Sequence, residues 1–309
     1  MYSEYLDLFK DALHRLEGWR ESYGSFEPHA ANKVDQEHIQ KVFEQLTDRL
    51  HGNYPFHHPV YIGQMLKPPH PVAWMAYSLA MTINPNNHAL DGGPPTSHME
   101  KEVVDDLAYM VGWPGQYLGH LTGGGTMANL EALWVARHEH PQKGIAFSDQ
   151  AHYTHGRMCE VLRLPSYTVE SDDKGRMLPE RLAELEEEIG TVVVTMGTTG
   201  LGSIDPLSDI LEWARPRGIR VHVDAAYGGF FKLIEEDPDF AARKHWQHIH
   251  RADSLVIDPH KHGLQPYGCG CILFRDPEIG RYYKHDSPYT YFTSDELHLG
   301  EISLECSRA

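Results

Sequence analysis

The sequence lacks any long hydrophobic segment. No apolar run approaches the roughly 20 residues with which a helix crosses a bilayer, and the start from Met1 to Lys10 is acidic and polar, unlike a secretory leader. With 309 residues, of which 41% are hydrophobic, the chain is long enough to build a sizeable core. These properties predict a soluble globular protein in the cytoplasm.

Positive charge is also scarce. The net charge is -17 at pH 7, whereas nucleic acids and anionic membranes are bound through basic surfaces. The composition therefore argues against both kinds of partner.

Cysteine is rare as well. The four cysteines are too few and too irregular for a disulfide framework, and Cys269 and Cys271 lie in a strand-like run that does not resemble a zinc knuckle. The densest histidine cluster, His245, His248 and His250, lies in a polar segment without an added carboxylate or thiolate aimed inward. We predict no metal site.

Short apolar runs alternate with helical patterns in the middle of the chain. Strands are predicted at 144–148, 190–195, 220–224, 254–258 and 270–274, and helices at 126–138, 179–189 and 207–215. This alternation predicts an α/β domain over residues 57–309, with a mainly parallel central sheet flanked by helices. Ligands of such sheets bind at the carboxyl ends of the strands, where Thr198, Asp224 and Lys261 fall.

Residues 1–56 are predicted to form a separate helical segment. Its apolar residues recur at helical spacing and are Tyr5, Leu8, Phe9, Leu13 and Leu16, then Ile39, Val42, Phe43, Leu46 and Leu50. An amphipathic arm of this kind needs a partner surface, so we expect it to pack on a second subunit, with its own core as the alternative. A further helix is expected from Ser97 to Val111, with Thr96 or Ser97 as N-cap and Glu100 as capping acid.

Two segments carry residues that fit one cofactor. The first, at 222–229, has Asp224 at the end of an apolar strand, and the second, at 258–261, has Lys261 on the turn after another strand. Pyridoxal 5'-phosphate (PLP) needs a lysine that forms a Schiff base with its aldehyde and an acid that keeps its ring nitrogen protonated. The small side chain of Ala226 leaves room for the ring. The pair predicts a PLP site.

A glycine run at 123–125 opens a predicted helix at Thr126. Backbone amides at a helix N-terminus form an anion site, and Gly125 and Thr126 are therefore expected to bind the cofactor phosphate. Neither the nucleotide P-loop nor the dinucleotide Gly-x-Gly-x-x-Gly spacing is present. Taken alone, the run is also compatible with a structural turn.

From about His57 to about Arg308, the chain resembles the PLP-dependent group II amino-acid decarboxylases of the aspartate aminotransferase fold, fold type I. The resemblance implies that Lys261, Asp224 and His152 are catalytic, with His152 stacked on the cofactor ring. It also implies a phosphate contact from His260, a cofactor contact from Thr199 or its neighbour Thr198, and a homodimer.

The resemblance implies decarboxylation of an L-amino acid to an amine and carbon dioxide through an external aldimine and a quinonoid. The chain has no arginine between Arg49 and Arg137, which favours an aromatic or other neutral substrate over an acidic one. The alternatives are another PLP-dependent carbon-carbon lyase, or a truncated homologue that binds PLP with little or no turnover.

The chain departs from the family pattern in two places. Many members protonate the substrate carbon with a loop tyrosine, for which Tyr289, Tyr291 and His298 are the candidates here. A different acid, or Lys261 itself, is the alternative. Similar proteins also continue well past the position of Ile302 into a small C-terminal domain, which we expect this chain to lack.

Overall fold

A computed structural model describes residues 2–284 and 297–306. The backbone divides into two compact units, Met1–Ile83 and Asn84–Ala309. The boundary expected after residue 56 therefore falls inside the first of these units.

The first unit contains three α-helices: α1 (Leu6–Glu21), α2 (Gln36–Leu50) and α3 (Pro71–Met81). The first two confirm the helices predicted from apolar spacing. Helix α2 begins where the Asp35 carboxylate accepts hydrogen bonds from two backbone amides. Within this unit, the rings of Tyr2 and Phe9 each lie 5.4 Å from the ring of Trp74 on α3. The apolar side chains of α2 remain exposed, namely Ile39, Val42, Phe43, Leu46 and Leu50.

The second unit is built around a seven-stranded sheet with helices packed against it. Its strands are β1 (Leu118–Thr122), β2 (Gly144–Ser148), β3 (Ser166–Val169), β4 (Ile189–Thr195), β5 (Arg220–Asp224), β6 (Ser254–Ile257) and β7 (Gly270–Phe274). Its α-helices are α4 (Pro94–Met110), α5 (Gly125–Glu139), α6 (Thr154–Leu162), α7 (Leu207–Ala214) and α8 (Arg243–Gln247).

Short 3-10 helices connect these elements. They are Tyr2–Tyr5, Ala30–Asn32, Leu90–Gly92, Pro179–Leu185, Arg215–Arg217, Gly229–Ile234, Ile249–Arg251, Pro277–Tyr282 and Leu299–Ile302.

The strand order is β1-β7-β6-β5-β4-β2-β3, and the pairs from β6 to β3 are parallel while β7 runs antiparallel to both of its neighbours. Every residue of β4 is buried, as expected for a central parallel strand covered on both faces. The register pairs Thr195 with Asp224 and Asp224 with Val256. The predicted α/β fold is confirmed, and the carboxyl ends of β4, β5 and β6 lie side by side.

The start of α4 differs from the expectation. The helix begins at Pro94 with Gly93 as its N-cap, because proline has a helical φ and needs no amide partner in the first turn. Glu100 is therefore not a capping acid. Its buried carboxylate accepts hydrogen bonds from Asn87 Nδ2 at 3.2 Å and from the amide of Leu121 at 2.9 Å.

Candidate active site

Asp224 is the last residue of β5, and its carboxylate is held on both oxygens. His155 Nε2 lies 2.9 Å from Oδ2, and the amide of Ala226 donates to Oδ1 at 3.1 Å. Burial alone would raise the pKa of Asp224. The hydrogen bond and electrostatic attraction of His155, the amide of Ala226 and the charge of Lys261 together outweigh burial and hold this pKa below its usual range. Asp224 is thus a buried, oriented and ionised carboxylate.

Lys261 lies on the turn that follows β6. Its Nζ is 3.1 Å from Oδ2 of Asp258, the first residue after that strand. Burial raises the pKa of Asp258, although the charges of Lys261 and His260 oppose the rise. Oδ1 of Asp258 is buried and has no hydrogen-bond partner within residues 2–284 and 297–306. A partly buried amine and a partly unsatisfied carboxylate therefore lie at the end of the strand next to β5.

The glycine run reaches the same place. Gly124 has a φ of 135°, which favours glycine, and α5 begins at the next residue, Gly125. A Cβ added to Gly125 would lie 2.7 Å from Asp258 Oδ2. The N-terminus of α5 therefore lies beside the Lys261–Asp258 pair. We call the surface at Gly125 the cradle, because any side chain at this position would fill the gap in front of the Asp258 carboxylate.

The segment after β2 contributes His152. The ring is half-buried, its Nδ1 accepts a hydrogen bond from the amide of Thr154 at 3.2 Å, and it packs on Tyr153 with centroids 4.3 Å apart. Burial lowers the pKa of His152, and the charges of Asp224 and Lys261 act on it in opposite directions. His152 is thus a neutral ring near both of the principal charged groups.

His155 is a site residue that could not be identified from the sequence alone. It is the second residue of α6 and is fully buried, and its ring nitrogen contacts Asp224. One feature of the sequence could have indicated it. His152 and His155 lie on either side of the start of a helix that follows a strand end, where site residues are expected. The partner, however, lies 69 residues away in the sequence.

The remaining predicted residues occupy the same edge of the sheet with different exposure. His260 is buried and stacks on Tyr267, with ring centroids 5.0 Å apart. Thr198 is buried, and its hydroxyl accepts a hydrogen bond from the amide of Ser203 at 3.0 Å, whereas Thr199 is exposed. Thr126, at the start of α5, lies 3.5 Å from the hydroxyl of Thr154.

The sequence profile of the pyridoxal-dependent decarboxylase conserved domain matches residues 26–284. The chain belongs to this family. The family model confirms the predicted resemblance, and the family cofactor is the one that Asp224 and Lys261 predicted. The structure also fits that cofactor, since the start of α5 at Gly125 lies against Asp258, which contacts Lys261 and has one buried oxygen without a partner among the described residues.

Relatives and a solved structure agree with this assignment. The chain is 29% identical over 289 residues to an aromatic-L-amino-acid decarboxylase of Bacillus atrophaeus, covering 87% of this chain and 58% of the relative. It is 32% identical over 236 residues to a probable L-tyrosine/L-aspartate decarboxylase of Methanothrix thermoacetophila, covering 74% and 58%. The crystal structure of mouse CSAD superposes with a TM-score of 0.78 at 26% identity, covering 93% of this chain and 63% of that one.

The chain thus spans 58% of the length of both curated relatives. The individual roles of the family site residues remain predictions at this point. Of the three candidate acids, Tyr289 and Tyr291 lie outside the described residues. His298 is buried, and its Nδ1 accepts a hydrogen bond from the amide of Leu90 at 3.0 Å while its backbone amide donates to Glu301.

Two other features concern metals and membranes. Within the described part of the second unit, His245 is buried and its Nδ1 lies 3.3 Å from the hydroxyl of Ser208. Across the described residues as a whole, no three His, Cys, Asp or Glu side chains are grouped so that they could hold a metal ion. In the same residues, no helix combines the length and the apolar character that crossing a membrane would require.

Proposed function

We propose that the chain catalyses, or supplies most of the site for, PLP-dependent decarboxylation of an L-amino acid to an amine and carbon dioxide. The observation that carries the proposal is the pairing of an ionised Asp224 with Lys261 at the ends of adjacent parallel strands. The glycine-rich start of α5 lies beside Asp258, the carboxylate that contacts Lys261.

Each group has a defined task in this proposal. Lys261 would anchor the cofactor covalently through its amine. Amides at Gly125 and Thr126 hold the phosphate, with His260 close by. The bound cofactor supplies an electron sink for the pair of electrons that the departing carboxylate leaves behind.

The protein governs this chemistry through charge and orientation. Asp224 stays negative and so favours a proton on the ring nitrogen, and the flat ring of His152 would cover one face of the cofactor ring. Orientation of the substrate then decides which bond breaks.

An aromatic or other neutral amino acid is the proposed substrate class. The stretch between Arg49 and Arg137 has no arginine that could pair with a side-chain carboxylate. The Bacillus relative, named as an aromatic-L-amino-acid decarboxylase, supports the same class. A homodimer is proposed as well, supported by the exposed apolar side chains of α2, while the cytoplasmic location stays a prediction.

The test combines cofactor binding with carbon dioxide release. Purified chain is titrated with PLP while its visible absorbance is recorded, and carbon dioxide release is then measured on a panel of aromatic, aliphatic and acidic L-amino acids. We expect visible absorbance from covalently bound cofactor and release from an aromatic substrate, both lost in Lys261→Ala.

The matched control is Lys244→Ala, which removes an exposed lysine on α8 and should change neither signal. Visible absorbance that survives in Lys261→Ala would remove the role assigned to this lysine. Cofactor binding without carbon dioxide release from any amino acid would exclude decarboxylation by this chain and favour another PLP-dependent lyase or a non-catalytic homologue.

A further inference from the structure

His155 has no task in the function proposed above, but it contacts Asp224, which does. Both side chains are buried, with His155 at 0% exposure and Asp224 at 6%. The 2.9 Å distance between Nε2 and Oδ2 is that of a charge-assisted hydrogen bond. It joins α6 to β5. These two elements are not consecutive in the chain, so their order does not predict the contact.

The chemistry of the pair fixes the direction of this hydrogen bond. An ionised carboxylate can only accept, so the proton must lie on Nε2 of His155. Nδ1 of His155 is buried and finds no hydrogen-bond partner among the described residues. The hydrogen bond therefore runs from Nε2–H of His155 to the carboxylate of Asp224.

The surroundings hold this ring in place. Its centroid lies 5.9 Å from that of Phe147 on β2, and its backbone amide donates to the carbonyl of His152 at 3.1 Å. The imidazole therefore approaches Asp224 from a fixed direction. The other oxygen of Asp224 is fixed by the amide of Ala226, so the carboxylate has little freedom to rotate.

We infer that His155 is a positioning residue that orients Asp224 and keeps it ionised, and that it thereby controls how strongly the site favours a protonated ring nitrogen on the cofactor. His155 acts only through Asp224. The inference deepens the proposed function and rests on it, because it concerns the acid that faces the ring nitrogen.

The experiment compares PLP with an analogue in which C–H replaces the ring nitrogen. Dissociation constants for both are measured by fluorescence titration on wild type, His155→Leu and His155→Gln. Leucine removes the donor at similar volume, whereas glutamine can place an amide N–H near the position of Nε2. The control is Cys159→Ala, a buried change further along α6.

We expect His155→Leu to weaken PLP binding about ten- to hundredfold, the range for a hydrogen bond to a charged group. Binding of the carbon analogue should change less than about threefold, since the analogue has no ring nitrogen to protonate. His155→Gln should regain most of the preference for PLP, and Cys159→Ala should retain it. In an Asp224→Ala background, His155→Leu should have no further effect on PLP binding.

Three results would overturn the inference. Equal weakening of both ligands in His155→Leu would make His155 a structural residue only, and an unchanged preference would separate it from Asp224. Failure of the wild type to bind PLP would overturn the inference and the proposed function together. Where His155→Leu does not fold, His155→Asn replaces it, because its shorter side chain should not reach Asp224.

Discussion

Gly125→Ala tests whether the cradle at the start of α5 is needed for stability and for binding of the cofactor phosphate. Gly125 has no left-handed φ, so alanine is allowed by the backbone and would by itself favour the helix by up to about 1 kcal/mol. The added Cβ, however, would lie 2.7 Å from Oδ2 and 3.0 Å from Oδ1 of Asp258. Contacts this short force the carboxylate to move.

The magnitude follows from these two opposing effects. Displacing a buried side chain to admit an extra carbon costs about 1–3 kcal/mol. Asp258 is 2% exposed and its Oδ2 also contacts Lys261, so the cost should lie in the upper part of this range. After subtraction of the helix gain, we expect the free energy of unfolding to fall by about 1–2 kcal/mol. PLP affinity should fall as well, because the methyl group occupies the proposed phosphate cradle.

The assays are urea unfolding of the cofactor-free protein and titration with PLP. Gly156→Ala is the matched control, since Gly156 lies in the first turn of α6 and an added Cβ would come no closer than 3.8 Å to Phe147. It should leave stability unchanged or raise it by up to about 1 kcal/mol. Gly125→Ala protein that is as stable as wild type, with undiminished PLP affinity, would refute the cradle.

Two further predictions concern the acid and a buried histidine. Asp224→Ala should retain some cofactor but lose about a hundredfold or more of its carbon dioxide release rate, because a preorganised charge is removed; wild-type turnover would contradict its role. Burial lowers the pKa of His222 to about 3, so below about pH 6.5 the unfolded state binds a proton that the folded state does not, and stability falls. In urea unfolding, the free energy of unfolding of wild type should fall by about 2 kcal/mol more between pH 8 and pH 5 than that of His222→Gln. Equal falls in the two proteins would rule out His222 as the source.

The central sheet and the placement of Asp224 and Lys261 at the ends of neighbouring strands could be predicted from sequence for physical reasons. Strands β4, β5 and β6 are apolar runs with polar residues at their carboxyl ends, and such runs are buried wherever a parallel sheet forms. Asp224 and Lys261 were recognisable because one cofactor needs both groups at neighbouring strand ends.

Other elements depend on tertiary contacts that local sequence does not specify. Strand β1 contains glycine and histidine and is held by antiparallel pairing with β7. The edge strand β3 is short and largely exposed outside Val169. The contact between His155 and Asp224 joins residues distant in sequence. Local propensity and periodicity carry little information on such pairings.

The two carboxylates at the sheet edge have opposite properties because their partners differ. Asp224 receives a hydrogen bond on each oxygen and remains ionised. Asp258 contacts Lys261 through one oxygen, and burial raises its pKa. Asp258 thus has a lysine amine as its neighbour, whereas Asp224 is held by hydrogen bonds from His155 and a backbone amide. Placement at the end of β5 therefore leaves one carboxylate whose charge can act on a ring nitrogen. Two acids in one site generally take different roles when their environments differ in this way.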